Sequence, residues 1–429
     1  MPSGLQFLIA AKRCEIAELQ QISQTSALVT AVGRLIHGLQ RERGLTNLHL
    51  ASQATQWQSA LDAQIHTCEA LQGEVLACFE GMDVAASRLS QGARLFSRIA
   101  YALQGIAALP ALRQRLRTES WEAPRATAAY VRLIASLLAV VFEAADTAAD
   151  PRISRHLVAL FNFMQGKELT GQERATGSAL FAAGLAEASA QQRLLGLIDS
   201  QERCLQVFEE FASPALQQAW QAAQRPEHMA AMERMRRVLC TAPDGAPLDR
   251  QLSQSWFDAK TSMIDAMKVI EDRLALELLA LCESRLEAVS AELIAFESLN
   301  EQEQGPAQDA PDDLSFFEKS EPSTDAHSAA LAPNAAGFGL QLDRSILELV
   351  QDQSRRLQSM GQELDTVRAS LNERKTIERA KGLLMAHRHV SEEEAHKTMR
   401  QMAMNQGKRL IDVSQALLSM AEVLPQTQR

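Results

Sequence analysis

From Trp256 to about Ser298 the chain carries one unbroken helical pattern. At ~1.5 Å per residue such a helix spans on the order of 65 Å. An amphipathic helix of that length must lay its apolar stripe against other helices, so the simplest architecture is a bundle with two or more long spines. Composition agrees. Apolar residues make up 46% of the 429 positions and aromatics only 5%, with long Ala/Leu/Gln/Glu-rich stretches and almost no Val/Ile/Thr alternation. Such a chain favours helices over sheets. The expected class is all-α: a long helical bundle, an acidic linker, then a coiled-coil helix leading into a small three-helix bundle.

Breakers divide the chain. Pro110 and the stretch Ala123-Pro124 read as connections. Helices are expected from about Ala128 to Ala145 and after Pro151, and a long Ala-rich helix from Gly171 to Phe211, stopped by Ser213-Pro214. Pro226 suits the first turn of the next helix, and residues 241–247 form a loop. The bundle is placed at 1–300. Residues 301–339 differ in kind: they hold Pro306, Pro311, Pro322 and Pro333, and 301–325 carry eight acids against one Lys. This reads as a tether. Order returns with Ile346, Val350, Gln353, Leu357, Met360, Leu364, Val367 and Leu371, a 4-3-4-3 seam over 340–372 that suits a coiled-coil homodimer, the alternative being a helix packed against its own domain. Ser391, three residues before Glu394, has the spacing of a capping box that opens a second short helix, and Asn405 to Gly407 ends it before a third.

Several function classes are disfavoured. The net charge is −10, so any nucleic-acid contact must be local. Cys14, Cys68, Cys78, Cys204, Cys240 and Cys282 are scattered without a C-x-x-C, which suits reduced core thiols in a cytoplasmic protein. No run reaches the ~18–20 apolar residues of a membrane span, and the best, Leu133 to Phe142, is about half that. The patch Leu5 to Ala11 lacks a basic flank and a cleavage site, so neither signal peptide nor membrane contact is expected. No P-loop, G-x-S-x-G or H-E-x-x-H motif occurs, and His387 and His389 do not make a metal site by themselves. The chain reads as no enzyme, with no cofactor, metal or catalytic residue.

The informative residue is Arg43. Leu28, Val32, Leu35 and Leu39 form one apolar stripe. At about 100° per residue Arg43 falls on it while Arg41 falls opposite. A guanidinium keeps its charge, so a buried Arg43 needs an anion. That partner is either a protein carboxylate such as Glu42 or Glu173, or a small bound anion. Arg236 shares a face with Met229, Met232, Met235 and Leu239, and Arg174 follows Gly171-Gln172-Glu173. Three planar forks from distant segments would suit a planar oxyanion.

The segments Leu35-Ile36-His37, Leu39-Gln40, Glu42-Arg43-Gly44 and Thr46 resemble the opening signature of the NIT domain, a helical nitrate- and nitrite-sensing module. Gly171-Gln172-Glu173-Arg174-Ala175, Ile198-Asp199-Ser200-Gln201 and Trp256 resemble its later signatures, over roughly residues 5–300. Thr46 stands where the family often has Ser, and His49 where it often has an aromatic. The resemblance implies that Arg43, Arg174 and Arg236 hold nitrate or nitrite between helices.

Between Glu373 and Arg409 there are nine Lys/Arg against five Asp/Glu, a local positive patch in an acidic chain. Such a patch suits phosphate contacts, and equally a solvated helix face. The run Ile377 to Met385, Ser391 to Ala395, Met399-Arg400, Lys408-Arg409-Leu410 and Val413 resemble the ANTAR domain, a three-helix RNA-binding module of transcription antiterminators, over about 365–424. His396 replaces a usual aromatic and Ser414 a usual alanine. The resemblance implies RNA contacts by Lys381, Arg400, Lys408 and Arg409, with Arg374 and Arg379 beside them. The unit has no Trp, Tyr or Phe, so histidine or arginine would do any base stacking. No strand–helix receiver precedes it, so the input should be a ligand.

The combined expectation is a nitrate/nitrite-responsive antiterminator of nitrate assimilation that binds hairpin-bearing leader mRNA. Its rivals are a sensor of another small oxyanion with the same output, and a coiled-coil interaction protein that binds no RNA.

Overall fold

The structure, a computed structural model, describes residues 4–52, 56–82, 92–118, 121, 123–147, 150–303, 337–388, 390 and 392–423. Among these residues there are twelve helices and no strand: α1 (Gly4–Ser52), α2 (Gln56–Glu80), α3 (Gly92–Thr118), α4 (Ala123–Thr147), α5 (Pro151–Ala183), α6 (Ala188–Phe211), α7 (Pro214–Ala223), α8 (Pro226–Thr241), α9 (Leu252–Glu303), α10 (Gly337–Arg388), α11 (Glu392–Gln406) and α12 (Leu410–Val423). The all-α expectation holds. The spine first seen at Trp256 is α9, which at ~1.5 Å per residue is about 78 Å long.

The chain forms two compact units. In one, the start of α1 packs against the end of α9: Leu5, Leu8 and Ile9 meet Phe296, and Lys12 pairs with Glu292 at 2.5 Å. The other joins the described residues between 24 and 279 to those from 365 onward. Its centre is α5, which packs against α4 and α6. Asp150 caps α5, accepting from the backbone N–H of Arg152 at 2.9 Å and of Ile153 at 3.2 Å, and Pro151 occupies the first turn. Buried residues then run almost without interruption from Ile153 to Met164. Each fully buried Leu or Phe there contributes about 1.5–3 kcal/mol of transfer free energy. Phe163 stacks against Phe208 and Trp220, with ring centroids 4.6 and 5.3 Å apart, and ties α5 to α6 and α7.

Two boundaries differ from the sequence expectation. The helix expected over Gly171 to Phe211 is two helices. Gly184 takes φ 73°, and its N–H reaches the carbonyls of Leu180 and Phe181, closing α5. Only glycine enters that backbone region without strain. Arg174 therefore lies inside α5 and opens no helix. Pro110 is no connection either but sits within α3. An interior proline typically costs a helix about 3 kcal/mol. The anchors on both sides of Pro110 hold α3 together: Ile106 and Leu109 are buried, and Arg113 is bound to Glu42.

Residues 93–118 and 123–145 are long and apolar enough to cross a membrane by length and composition, which the run Leu133 to Phe142 alone did not suggest. In α4 that apolarity lines the core, with Ile134, Leu137, Val140 and Val141 fully buried. Ser391 and residues 304–336 of the acidic tether lie outside the described residues, as do the side chains of the seam residues Ile346, Val350, Gln353, Leu357 and Leu371. The helix of the seam begins at Gly337 and continues unbroken into the C-terminal unit as α10.

Candidate functional site

Arg43 lies where helical periodicity puts it. Leu28, Val32, Leu35 and Leu39 are buried, Arg43 is 2% exposed and Arg41 is exposed. A buried guanidinium must be paired. Its Nη1 donates to Glu168 Oε1 at 2.5 Å and its Nη2 to Glu168 Oε2 at 3.2 Å. Gln40 from α1 and Gln172 from α5 donate to the same carboxylate, each at 2.9 Å. The partner is thus a carboxylate four helices away in sequence. Glu42 is taken elsewhere: Arg113 grips it through Nε and Nη2, both at 2.8 Å, and the Tyr130 hydroxyl donates to it at 2.9 Å.

Arg174 differs. Its Nη1 donates to Thr261 Oγ1 at 2.9 Å, and its guanidinium lies 4.8 Å from the Phe257 ring centroid. Among the described residues no carboxylate stands within ion-pair distance of it. Burial, and then the Arg43 charge beside it, pull its pKa down to about 10. The two arginines face each other's helix at glycines. A Cβ on Gly171 of α5 would lie 2.8 Å from Arg43 Nη2, and one on Gly44 of α1 would lie 3.1 Å from Arg174 Nη2. Backbone without side chains gives both forks room. Arg43, Gly44, Gly171, Arg174 and Phe257 line an open cleft of about 3,840 Å³.

Arg236 stands apart from that pair. Its Nε and Nη2 bind Glu173 at 2.7 and 2.8 Å, Nη2 also reaches Gln201 Oε1 at 2.8 Å, and Nη1 reaches Glu233 at 2.8 Å. Buried Lys260 lies 2.6 Å from the same Glu173. Paired with Arg236 and Lys260, Glu173 has its pKa held below the ordinary carboxylate value despite its burial. Desolvation lowers the pKa of Lys260 to about 8. Arg236 does not line the cleft. It fixes Glu173, the residue before Arg174, and Trp256 Nε1 donates to the Arg174 carbonyl at 3.0 Å. Both contacts hold the turn of α5 that carries Arg174.

The six basic residues expected to bind RNA divide in two. Arg374 and Arg400 touch α5 and α6: Arg374 Nη1 donates to Asn162 Oδ1 at 3.2 Å and its guanidinium sits 4.7 Å from the Phe161 ring centroid, while Arg400 pairs with Asp199 at 3.2 Å. Arg379 and Lys408 are exposed, Lys381 is buried beside Glu378 at 2.6 Å, and exposed Arg409 lies 3.4 Å from Asp412. The core of this unit is Ala380, Leu384, Ala395 and Met399. Its buried Ser414 hydroxyl is satisfied by the Leu410 carbonyl at 2.7 Å. No group of metal-ligating side chains occurs among the described residues.

Sequence reasoning missed Glu168, Gln172, Phe257, Thr261 and Lys260. For Glu168 a signal existed: it is one of two charges, with Lys167, inside an otherwise apolar and polar-neutral run from Leu157 to Gln172.

Comparison with known proteins decides the family. Residues 34–279 match the family described as "Nitrate and nitrite sensing", and residues 365–418 match the ANTAR domain. The chain belongs to the nitrate and nitrite sensing family. This NIT domain contains both cleft arginines, and the ANTAR domain contains all six basic residues discussed above. The chain is 31% identical over 418 residues to a "Nitrate regulatory protein" of Klebsiella oxytoca, covering 97% of this chain and 95% of that one. It is also similar to the solved structure of the NasR transcription antiterminator, with a TM-score of 0.60 and 29% identity over 99% of this chain and 100% of that one. An ANTAR domain joined to a NIT domain makes this a regulatory chain.

Proposed function

We propose that the chain is a cytoplasmic, nitrate- or nitrite-responsive transcription antiterminator. It takes the anion between Arg43 and Arg174 and acts as a homodimer on hairpin-bearing leader mRNA. The observation that carries this reading is Arg174: a guanidinium supplied, among the described residues, with a hydroxyl and an aromatic ring but no carboxylate within ion-pair distance, facing a second guanidinium across two glycines in an open cleft. Planar forks match a planar oxyanion. Arg236 serves the site by holding Glu173 and so the turn that presents Arg174.

The output follows from the same helix. Phe161 and Asn162, which hold Arg374, lie on α5 six to seven residues before Glu168, about 10 Å along the helix. Asp199 on α6 holds Arg400. With the ANTAR unit so docked, two of its RNA-binding arginines are occupied. Anion binding repacks α5 against α1, weakens the dock and frees Arg374 and Arg400 to join Arg379, Lys381, Lys408 and Arg409 on RNA. The 4-3-4-3 seam of α10 pairs two released units. A ligand shifts such a balance only by its differential affinity, and moving it from 1:99 to 99:1 needs about 10⁴-fold. A dock built from an exposed ion pair, worth about 0–1 kcal/mol, and a few ring contacts is weak enough to be moved.

The test is transcription through a nitrate-assimilation leader with and without nitrate, in wild type and Arg174→Ala. Read-through should rise with nitrate in wild type and stay at the basal level in the variant. Identical read-through with and without nitrate in wild type would sink the reading.

A further inference from the structure

Glu168 has a role that the anion site alone does not require. It occupies the fork of Arg43 and accepts two further hydrogen bonds from Gln40 and Gln172, so four donors hold it beside the cleft. Counted together, Arg43, Arg174 and Glu168 leave one net positive charge. Asp265 acts on Arg174 more strongly than Glu168 does, but it is exposed, so water and salt screen it and only Glu168 is a fixed, buried charge beside the fork. One monovalent anion neutralises such a site. A dianion would leave an excess negative charge facing a fixed carboxylate in partly desolvated surroundings, where like charges repel strongly.

We infer that Glu168 is the charge filter of the site: a built-in carboxylate that admits monovalent oxyanions and rejects divalent ones such as sulfate. The inference rests on the anion site at Arg43 and Arg174. The carboxylate also does what an oxyanion would do, presenting two coplanar oxygens to Arg43. It keeps that guanidinium satisfied while the cleft holds no ligand, and it leaves Arg174 as the fork that recruits one.

Removing one negative charge is felt once by a monoanion and twice by a dianion. The gain for sulfate should therefore be the square of the gain for nitrate. If Glu168→Gln tightens nitrate about tenfold, it should tighten sulfate about a hundredfold. Gln keeps the size of the side chain and one acceptor oxygen for Gln40 or Gln172. Glu168→Asp keeps the charge and should keep the wild-type preference.

The experiment is calorimetric titration of sodium nitrate and sodium sulfate into the full chain, in buffer without other oxyanions, for wild type, Glu168→Gln, Glu168→Asp and Arg174→Ala. Wild type should bind nitrate, with sulfate at tenfold excess failing to displace it. The sulfate-to-nitrate affinity ratio should rise at least tenfold in Glu168→Gln and stay put in Glu168→Asp. An unchanged ratio in Glu168→Gln overturns the inference while leaving the site in place. Nitrate binding untouched by Arg174→Ala overturns the site itself. Should Glu168→Gln fail to fold, the wild-type competition still decides: sulfate displacing nitrate at equal concentration overturns the filter.

Discussion

The two glycines at the cleft allow stability and ligand binding to be separated by one methyl group. In Gly171→Ala the new Cβ would lie 2.8 Å from Arg43 Nη2, too close for either atom to stay. The softer partner is the end of the arginine. Alanine in a helix interior is favoured over glycine by about 1 kcal/mol. Against that stands disruption of the Arg43 fork on Glu168, a loss of about 1.5–3 kcal/mol for hydrogen bonds between charged groups. The net loss of stability is then at most about 2 kcal/mol. The anion, however, loses the donors of Arg43 altogether, and about 1.5–3 kcal/mol is roughly a 10- to 150-fold weaker Kd. Gly44→Ala is the graded comparison. Its Cβ would stand 3.1 Å from Arg174 Nη2, a contact relieved by a shift of a few tenths of an ångström. Less than a tenfold loss is expected there. Nitrate titration alongside thermal melts reads both quantities. Gly171→Ala binding nitrate as wild type does, or Gly44→Ala losing more than Gly171→Ala, would refute the reasoning.

Three further outcomes are expected. Glu42→Ala takes the bidentate carboxylate from buried Arg113, leaving it the exposed Glu69 at 3.6 Å, and takes the carboxylate acceptor from the Tyr130 hydroxyl, so chemical denaturation should show a loss of about 3–5 kcal/mol; a loss under 1 kcal/mol would mean the network is not closed. His37 has its pKa lowered to about 3 by burial and then by the Lys167 charge, so it is neutral in the fold and the unfolded chain binds the extra proton. Stability is then lost as pH falls from 6.5 toward 3, by up to about 1.4 kcal/mol per unit, and melts of wild type and His37→Asn should converge over that window; a constant gap would show that His37 does not titrate there. Asp199→Asn removes the exposed partner of Arg400, worth at most about 1 kcal/mol, so nitrate-free binding to a leader hairpin should tighten by up to about fivefold; unchanged affinity would remove that contact from the dock.

The fold class was legible because helical periodicity is a local signal. The spine after Trp256, the start of α5 at Pro151 and the start of α8 at Pro226 all lie close to where the residues put them. The misplaced boundaries turn on tertiary context. Pro110 reads as a breaker because propensity counts the lost hydrogen bond, and it cannot count Arg113 held by Glu42 on another helix. Gly184 sits in an Ala-rich stretch where glycine alone is weak punctuation. It becomes a stop because Leu185 bridges to Pro247 and the Leu248 N–H donates to the Gly184 carbonyl, contacts more than sixty residues away in sequence.

For the site, periodicity could say which arginines turn inward but not what meets them there. Arg43, Arg113 and Arg236 are all buried, and each is closed by a glutamate: Glu168, Glu42 and Glu173. No spacing rule predicts those pairs, since each crosses more than sixty residues. The ordinary expectation for a buried guanidinium, a protein carboxylate, therefore holds three times over. Arg174, half-buried in the cleft wall, has no such carboxylate among the described residues, and that difference is informative. Lys167 and Lys260 are likewise matched, by Glu271 and Glu173. Among the described residues each of these buried cations thus has a carboxylate, Glu173 serving both Arg236 and Lys260, whereas Arg174 lines the cleft without one, beside two glycines that clear its approach. A bundle that needed only stability would have placed a fourth glutamate against Arg174 or replaced the arginine with leucine. An arginine kept beside Arg43 without a carboxylate of its own makes sense as half of a site whose other half is the ligand.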